Sequence, residues 1–117
     1  MSKFIVNNEG PLSGFVEVSG SKNAVLPLMA ATILTDDDCL ITDVPELMDV
    51  EVMCGLLRSL GADVRCDMGN RCIELKTDAI ATSEAPAELV KKMRASVVSM
   101  GPLLARTGEA RIPLPGG

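Results

Sequence analysis

An almost wholly apolar run at residues 24–34 follows a short turn of small and polar residues at 20–23. A helix of this composition has no polar face, so it is expected to be buried on most sides, with the rest of the chain folded around it. Pro27 cannot donate to the carbonyl four residues back, which predicts a helix start at Asn23 or Ala24 with Pro27 in the first turn. The turn at residues 20–23 then lies at the N-terminal end of this helix.

Residues 20–24 read Gly-Ser-Lys-Asn-Ala and connect the helix to a strand-like run at residues 14–20. The N-terminus of a helix presents free backbone N–H groups and the positive end of the helix dipole, and both favour an anion. Lys22 adds a full positive charge at the same place. The turn is therefore a candidate anion-binding site, and the alternative is that Lys22 only caps a buried helix.

Composition narrows the possible functions. The 117 residues are enough for one small domain. The net charge of -5 argues against general nucleic-acid binding but leaves room for a local anion site. With two Phe and no Trp or Tyr, the core must be aliphatic. The chain contains no histidine, which excludes a histidine-based triad, metal site or general base within these residues.

The four cysteines are Cys39, Cys54, Cys66 and Cys72, and no two of them form a C-x-x-C pair. This spacing disfavours a zinc cluster, and free core thiols in a reducing compartment are the preferred interpretation. The N-terminus lacks the apolar region of a signal peptide, and no apolar run approaches the roughly 20 residues of a membrane span. The sequence therefore predicts a cytoplasmic protein with no membrane segment.

Hydrophobic periodicity divides the chain into alternating strands and helices. The predicted strands are residues 3–6, 15–18, 39–42, 63–67, 71–76 and 110–114. The predicted helices are residues 23–34, 43–60 and 87–104. In the second helix Asp43 is the expected cap, Pro45 lies in the first turn and Gly61 ends the helix. Gly101-Pro102 should kink or restart the third helix. The acidic residues 36–38 are interpreted as a solvated turn, with a metal site as the weaker alternative.

Two segments share one plan, in which a basic residue precedes an apolar helix, a turn and a strand. Lys22 lies 19 positions before Ile41, and Arg94 lies 18 positions before Ile112. This fits a β-α-β-α-β-β unit that recurs roughly every 70 residues, with an incomplete second copy and apolar surface left for missing copies. Arg94 falls at the edge of the apolar stripe of its predicted helix, so it is either a surface arginine packed along its stem or a functional residue.

Five stretches occur in an order that resembles the N-terminal part of the UDP-N-acetylglucosamine 1-carboxyvinyltransferase family. They are Gly20-Ser-Lys-Asn-Ala24, Asp43-Val-Pro45, Leu60-Gly-Ala-Asp-Val64, Met93-Arg-Ala-Ser96 and Leu114-Pro-Gly-Gly117. The resemblance implies an α/β fold of two inside-out barrel domains, each made of three β-α-β-α-β-β units. Residues 1–19 would then form strands that pack with the second domain, residues 20–86 the first repeat, and residues 87–117 the start of the next.

The resemblance also implies a reaction. Members of this family move the enolpyruvyl group of phosphoenolpyruvate onto the 3-hydroxyl of UDP-N-acetylglucosamine and release phosphate, which is the first committed step of peptidoglycan synthesis. The reaction is an addition and elimination that needs no cofactor and no metal. By motif match, Lys22 and Asn23 would bind phosphoenolpyruvate, with Lys22 acting in catalysis, and Arg94 would help to hold UDP-N-acetylglucosamine.

The chain departs from the family pattern at its C-terminus. In the family, Leu-Pro-Gly-Gly is followed by a loop that carries a catalytic cysteine, whereas this sequence stops at Gly117. None of its four cysteines occupies that place, so none inherits the role. The sequence is therefore interpreted as part of a longer enzyme, inactive alone, whose partner is the remainder of its own chain with the second domain.

Two other functions stay open at this point. One is a non-catalytic binding or assembly module with the same fold. The other is the related 3-phosphoshikimate 1-carboxyvinyltransferase, although Asn23-Ala24 after the lysine and the Met93–Ser96 stretch favour the UDP-N-acetylglucosamine enzyme.

Overall fold

A computed structural model describes residues 1–114 and has the mixed helix and sheet architecture that the sequence predicts. The helices are α1 (Lys22–Ala31), α2 (Met48–Leu60), α3 (Ala87–Lys92) and α4 (Met100–Thr107). Two 3-10 helices, Thr32–Leu34 and Arg94–Ser99, follow α1 and α3. The strands are β1 (Cys39–Ile41), β2 (Asp63–Asp67) and β3 (Cys72–Lys76).

The three strands form an antiparallel sheet in the order β1-β3-β2. Val64 of β2 lies opposite Leu75 of β3, and both are buried on the face that packs towards the helices. Arg65 and Glu74 form the next pair and are exposed on the other face. The predicted hairpin is thus confirmed, although β3 begins at Cys72, one residue later than expected.

Helix α1 begins at Lys22, one or two residues before the predicted start at Asn23 or Ala24, so Pro27 lies in its second turn. One face of α1 is buried against α2 and the second 3-10 helix, through Val25, Leu26 and Met29. The opposite face is open, since Leu28 is 55% exposed. The expectation of burial on most sides is therefore wrong for this chain, because residues 1–114 supply a packing partner for only one face.

Helix α2 begins at Met48 rather than at the predicted cap Asp43. Residues 43–47 are instead held against the hairpin, because the fully buried Val44 donates its backbone N–H to the Arg71 carbonyl at 2.9 Å. Asp43 itself has a positive φ of 56°. The predicted end is confirmed: Gly61 has a φ of 114°, a left-handed conformation that ends helices and favours glycine.

The predicted third helix is broken into three pieces. Helix α3 ends at Lys92, Met93 is extended (φ -149°, ψ 112°), and a 3-10 helix precedes α4. A continuous helix would drive the Pro102 ring into the carbonyl of Val98, four residues back. In α4 the same proline lies in the first turn, where its missing N–H has no helical partner to lose.

The two strands predicted within residues 1–19 are absent, and in the described chain no helix or strand precedes Lys22. A strand requires a hydrogen-bonded neighbour, and residues 1–114 provide none for this segment. Its apolar side chains are exposed: Phe4, Ile5, Val6, Leu12, Phe15, Val16 and Val18.

The strand expected at residues 110–114 is reduced to one parallel bridge between Arg111 and Glu84. The Arg111 N–H donates to the Ser83 carbonyl at 2.8 Å, and the Ala85 N–H donates to the Arg111 carbonyl at 2.9 Å. This bridge joins the residues before α3 to those after α4, so it closes a β-α-β connection. Residues 115–117, which complete the Leu-Pro-Gly-Gly stretch, lie outside the described residues.

Arg106 links three distant parts of the chain through its guanidinium group. Its Nη1 donates to the carbonyls of Ile33 (2.8 Å) and Thr35 (2.9 Å), and its Nη2 donates to the carbonyl of Asp78 (3.1 Å). These bonds join α4 to the end of the first 3-10 helix and to the loop after β3. No local sequence pattern marks Arg106 for this role, because all three acceptors are distant in the chain.

We expect Arg106→Ala to lower the free energy of unfolding by about 2–3 kcal/mol, because it removes hydrogen bonds from a charged donor and leaves carbonyls unpaired. Urea unfolding of both proteins measures this difference. Arg111→Ala is the matched control, since its exposed side chain pairs with the exposed Glu109 and should contribute less than about 1 kcal/mol. Equal losses of stability in the two variants would show that the Arg106 bonds do not hold these segments together.

Candidate anion-binding site

The N-terminus of α1 is free of the groups that usually neutralise a helix start. Ser21 is the N-cap residue, with φ -97° and ψ 127°, and its carbonyl accepts from the N–H groups of Ala24 (3.2 Å) and Val25 (2.9 Å). Within the described part of the chain, no side chain caps this end and no acidic residue lies in its first turn. The first N–H groups and the positive end of the dipole therefore remain available to a ligand.

Lys22 is fixed at this end of α1 by an ion pair. Its Nζ lies 3.1 Å from Oδ2 of Asp49, which belongs to the first turn of α2. The Lys22 side chain is 49% exposed, so its ammonium group is open to solvent as well as to Asp49. The pair therefore links the starts of α1 and α2 and leaves a positive group accessible beside the free N–H groups.

Asp49 is a residue of this site that sequence reasoning missed. The predicted start of α2 at Asp43 placed Asp49 in the middle of the helix, where an acidic residue gives no indication of a functional or capping role. The true start at Met48 puts Asp49 in the first turn, where the helix dipole favours a carboxylate. Only a correct prediction of the α2 start at Met48 could have drawn attention to Asp49 from the sequence. The pairing with Lys22 is a tertiary contact, which local sequence does not show.

Gly20 sets the path of the chain into α1. A Cβ at this position would overlap the carbonyl oxygen of Asp43 and would lie 3.2 Å from Cδ of Pro45. Only a glycine permits this approach of the two backbones. Two of the stretches noted in the sequence, at residues 20–24 and 43–45, are thus in direct contact beside Lys22.

Asn23 and Arg94 are both exposed. Asn23 lies in the first turn of α1, and Arg94 is the first residue of a 3-10 helix that packs against α1. Each basic residue, Lys22 and Arg94, therefore opens a helical segment after an extended residue. The structure places the two on contacting elements.

Two surface depressions lie away from these residues. One of about 390 Å³ is formed along the sheet by Asp38, Cys39, Leu40, Asp63, Arg65, Glu74, Leu75 and Lys76. A smaller one of about 170 Å³ lies between residues 17–19 and Arg71. In the described structure, neither is lined by Lys22, Asn23 or Arg94. Because the Lys22 side chain is 49% exposed, the candidate anion site is an open surface at a helix end.

The acidic turn is exposed, and its side chains make a hydrogen bond within the turn and an ion pair to β3. Thr35 Oγ1 donates to Asp37 Oδ2 at 3.1 Å, and Lys76 Nζ lies 3.6 Å from Asp38 Oδ1. Among residues 1–114, no group of three or more His, Cys, Asp or Glu side chains could hold a metal ion. Over the same residues, no helix has the length and apolar character needed to cross a bilayer.

The expectation of core thiols holds for only one cysteine. Cys54 is fully buried, Cys39 and Cys72 are half-buried, and Cys66 is exposed. Burial, reinforced by the neighbouring Cys66, raises the pKa of the Cys54 thiol to about 12. Cys54 is therefore protonated at neutral pH.

Comparison with known proteins identifies a family and relatives that this chain resembles. Residues 6–117 match the family model described as EPSP synthase (3-phosphoshikimate 1-carboxyvinyltransferase). The chain is 48% identical over 116 residues to UDP-N-acetylglucosamine 1-carboxyvinyltransferase 1 of Caldanaerobacter subterraneus subsp. tengcongensis. It is 50% identical over 117 residues to UDP-N-acetylglucosamine 1-carboxyvinyltransferase 2 of Carboxydothermus hydrogenoformans.

These matches cover 99% and 100% of the chain but only 27% of each relative. The chain thus spans about a quarter of the length of these curated relatives. Among solved structures, it resembles the enolpyruvyl transferase NikO from Streptomyces tendae, with a TM-score of 0.74 and 26% identity over 87% of the chain and 23% of NikO. The sequence prediction of an enolpyruvyl transferase fold is confirmed, and the chain belongs to the EPSP synthase family.

Proposed function

We propose that this chain forms one wall of the active site of a UDP-N-acetylglucosamine 1-carboxyvinyltransferase. The observation that carries the proposal is the uncapped N-terminus of α1 with the accessible Lys22 ammonium held beside it by Asp49. The names of the two relatives compared above support UDP-N-acetylglucosamine as the acceptor, since both are called UDP-N-acetylglucosamine 1-carboxyvinyltransferase. This reaction is the first committed step of peptidoglycan synthesis, and in this proposal it takes place in the cytoplasm.

Lys22 and Asn23 bind phosphoenolpyruvate in this proposal. The ligand carries a phosphate and a carboxylate, and the free N–H groups and the ammonium of Lys22 attract both. As phosphate leaves, negative charge grows on its oxygens, and a fixed ammonium stabilises that charge more than it stabilises the bound substrate. The Asn23 amide orients the ligand by hydrogen bonding. Asp49 is a positioning residue, because it acts by holding Lys22.

Arg94 binds the nucleotide sugar. Its guanidinium group is exposed on the 3-10 helix that packs against α1, so it offers a second positive group on an element adjoining the Lys22 helix. A planar guanidinium can donate to two oxygens of a phosphate at once, which suits the diphosphate of UDP-N-acetylglucosamine.

Residues beyond those of this chain complete the site. They include the family's catalytic cysteine and the second domain, supplied on the same polypeptide or by another chain. The open geometry at Lys22 supports this need for a second wall. Residues 1–19 pack with the second domain, which is supported by their row of exposed apolar side chains. Residues 1–117 alone do not turn over substrate.

Two alternatives have specific support. The description of the matching family model names 3-phosphoshikimate 1-carboxyvinyltransferase, a sister reaction with a different acceptor. A non-catalytic binding module of the same fold is the other, because an anion can bind at the Lys22 end of α1 without being turned over.

A chimera separates these functions. In it, residues 1–117 replace the matching segment of the Caldanaerobacter relative. In isothermal titration, we expect the chimera to bind UDP-N-acetylglucosamine but not shikimate 3-phosphate, and Arg94→Ala to weaken that binding by at least about tenfold, as expected for loss of one charge-assisted hydrogen bond. Arg65→Ala, which removes an exposed arginine on β2, is the matched control and should bind normally.

Three other titration results would contradict the proposed function or the role of Arg94. Binding of shikimate 3-phosphate in place of the nucleotide sugar would favour the sister enzyme. Binding of neither acceptor nor phosphoenolpyruvate by a folded, monomeric chimera would favour the non-catalytic module. Equal binding by the Arg94→Ala and Arg65→Ala variants would remove Arg94 from the site.

A further inference from the structure

Two cysteine side chains meet where α2 packs on the edge strand β2. The Sγ atoms of Cys54 and Cys66 are 2.7 Å apart, in reduced form, although the residues are 12 positions apart in sequence. A disulfide bond requires about 2.05 Å, so only a small approach of the two sulfurs separates this contact from a covalent bond.

The surrounding structure holds the two thiols together. Cys66 lies two residues after Val64, so both point to the face of the sheet that packs on α2. The Arg58 guanidinium, one turn after Cys54, donates to the Val64 carbonyl at 2.9 Å from Nη2 and at 3.3 Å from Nε. This clamp fixes α2 against β2 one helical turn from Cys54 and two residues from Cys66.

The two cysteines differ in access. Cys66 is an exposed residue on the edge strand, which gives a small oxidant a route to it, whereas Cys54 is 1% exposed. Burial and the neighbouring Cys66 raise the pKa of the Cys54 thiol to about 12. Cys54 is therefore protonated at neutral pH and shielded from solvent. Cys66 can therefore react with the oxidant, and Cys54 can then attack the oxidised Cys66 sulfur to form the disulfide.

We propose that Cys54 and Cys66 form a reversible intramolecular disulfide when the protein meets a peroxide. In the first step the Cys66 sulfur attacks hydrogen peroxide, an S–O bond forms, the O–O bond breaks, and hydroxide leaves to take up the thiol proton as water. In the second step the Cys54 sulfur attacks the Cys66 sulfur, the S–S bond forms, and the hydroxyl leaves as water with the Cys54 proton. Two thiols lose two electrons in total, and one peroxide gives two waters.

Peptide mapping tests the proposal directly on the whole chain. The reduced protein is treated with hydrogen peroxide, free thiols are blocked with N-ethylmaleimide, and the protein is digested with trypsin. Trypsin leaves Cys39 and Cys54 together in residues 23–58, and Cys66 alone in residues 66–71. Using the Cys39→Ser variant therefore makes the assignment unique.

We expect the intact mass to fall by two hydrogen atoms and peptide 23–58 to be linked to peptide 66–71. The rate should not depend on protein concentration, and dithiothreitol should reverse the link. Cys72→Ser should form it normally, whereas Cys66→Ser should not. Oxidation of Cys66 to sulfinic acid with Cys54 still open to N-ethylmaleimide after unfolding would overturn the proposal. A link to peptide 72–76, or one formed only between two chains, would do the same.

Discussion

Replacing Lys22 with alanine in the chimera is expected to lower kcat/KM for phosphoenolpyruvate by at least about 100-fold, the scale of removing one preorganised group that stabilises transition-state charge. The free energy of unfolding should change by less than about 1 kcal/mol, because the ion pair between Lys22 and Asp49 is partly exposed to solvent. Steady-state kinetics and urea unfolding of the same preparations measure the two quantities.

The contrast between the two effects distinguishes a site lysine from a structural one. Lys91→Ala is the matched control, since Lys91 is exposed in the last turn of α3 and should leave kcat/KM within about twofold, as expected for a surface change away from the site. Normal kinetics for Lys22→Ala would mean that this residue only anchors α1 to α2.

Replacing Gly20 with alanine is expected to destabilise the chain by about 3 kcal/mol, the range of overpacking into a rigid neighbour. The added Cβ overlaps the backbone carbonyl of Asp43, which cannot rotate away as a side chain would. The two backbones must separate, and the start of α1 with Lys22 must move with them. Thermal or urea unfolding of the variant measures the decrease in stability.

Gly101→Ala provides the control for that substitution. Gly101 lies in α4, and apart from its two chain neighbours and the backbone of its own helix, no described atom stands within 4 Å of a Cβ built there. Alanine should therefore be neutral or stabilising by up to about 1 kcal/mol, since it forms helix better than glycine. If Gly20→Ala were equally well tolerated, the close approach of residues 20 and 43 would not be what positions the start of α1.

The hairpin and the end of α2 were predictable because local rules determine them. Alternation of polar and apolar residues sets the two faces of β2 and β3, and Gly61 ends a helix by its own conformational freedom. The start of α1 was predictable to within one or two residues for the same reason. The position of Lys22 at a helix end, which is the core of the candidate site, therefore followed from the sequence.

The remaining features depend on tertiary contacts that no local pattern encodes. The backbone N–H of Val44 donates to the distant Arg71 carbonyl, so residues 43–47 are not helical and α2 begins at Met48. This start places Asp49 in the first turn, where it pairs with Lys22. The Cys54–Cys66 contact likewise joins a helix to a strand. Residues 1–19 alternate like strands but find no partner within residues 1–114, so their pattern alone could not produce a sheet.

Phosphate release by the chimera shows which acceptor the site containing Lys22 uses. With phosphoenolpyruvate present, we expect release of phosphate on addition of UDP-N-acetylglucosamine and none on addition of shikimate 3-phosphate, with the Lys22→Ala chimera nearly inactive. A folded chimera that releases no phosphate with either acceptor, or that releases it only with shikimate 3-phosphate, would contradict the account.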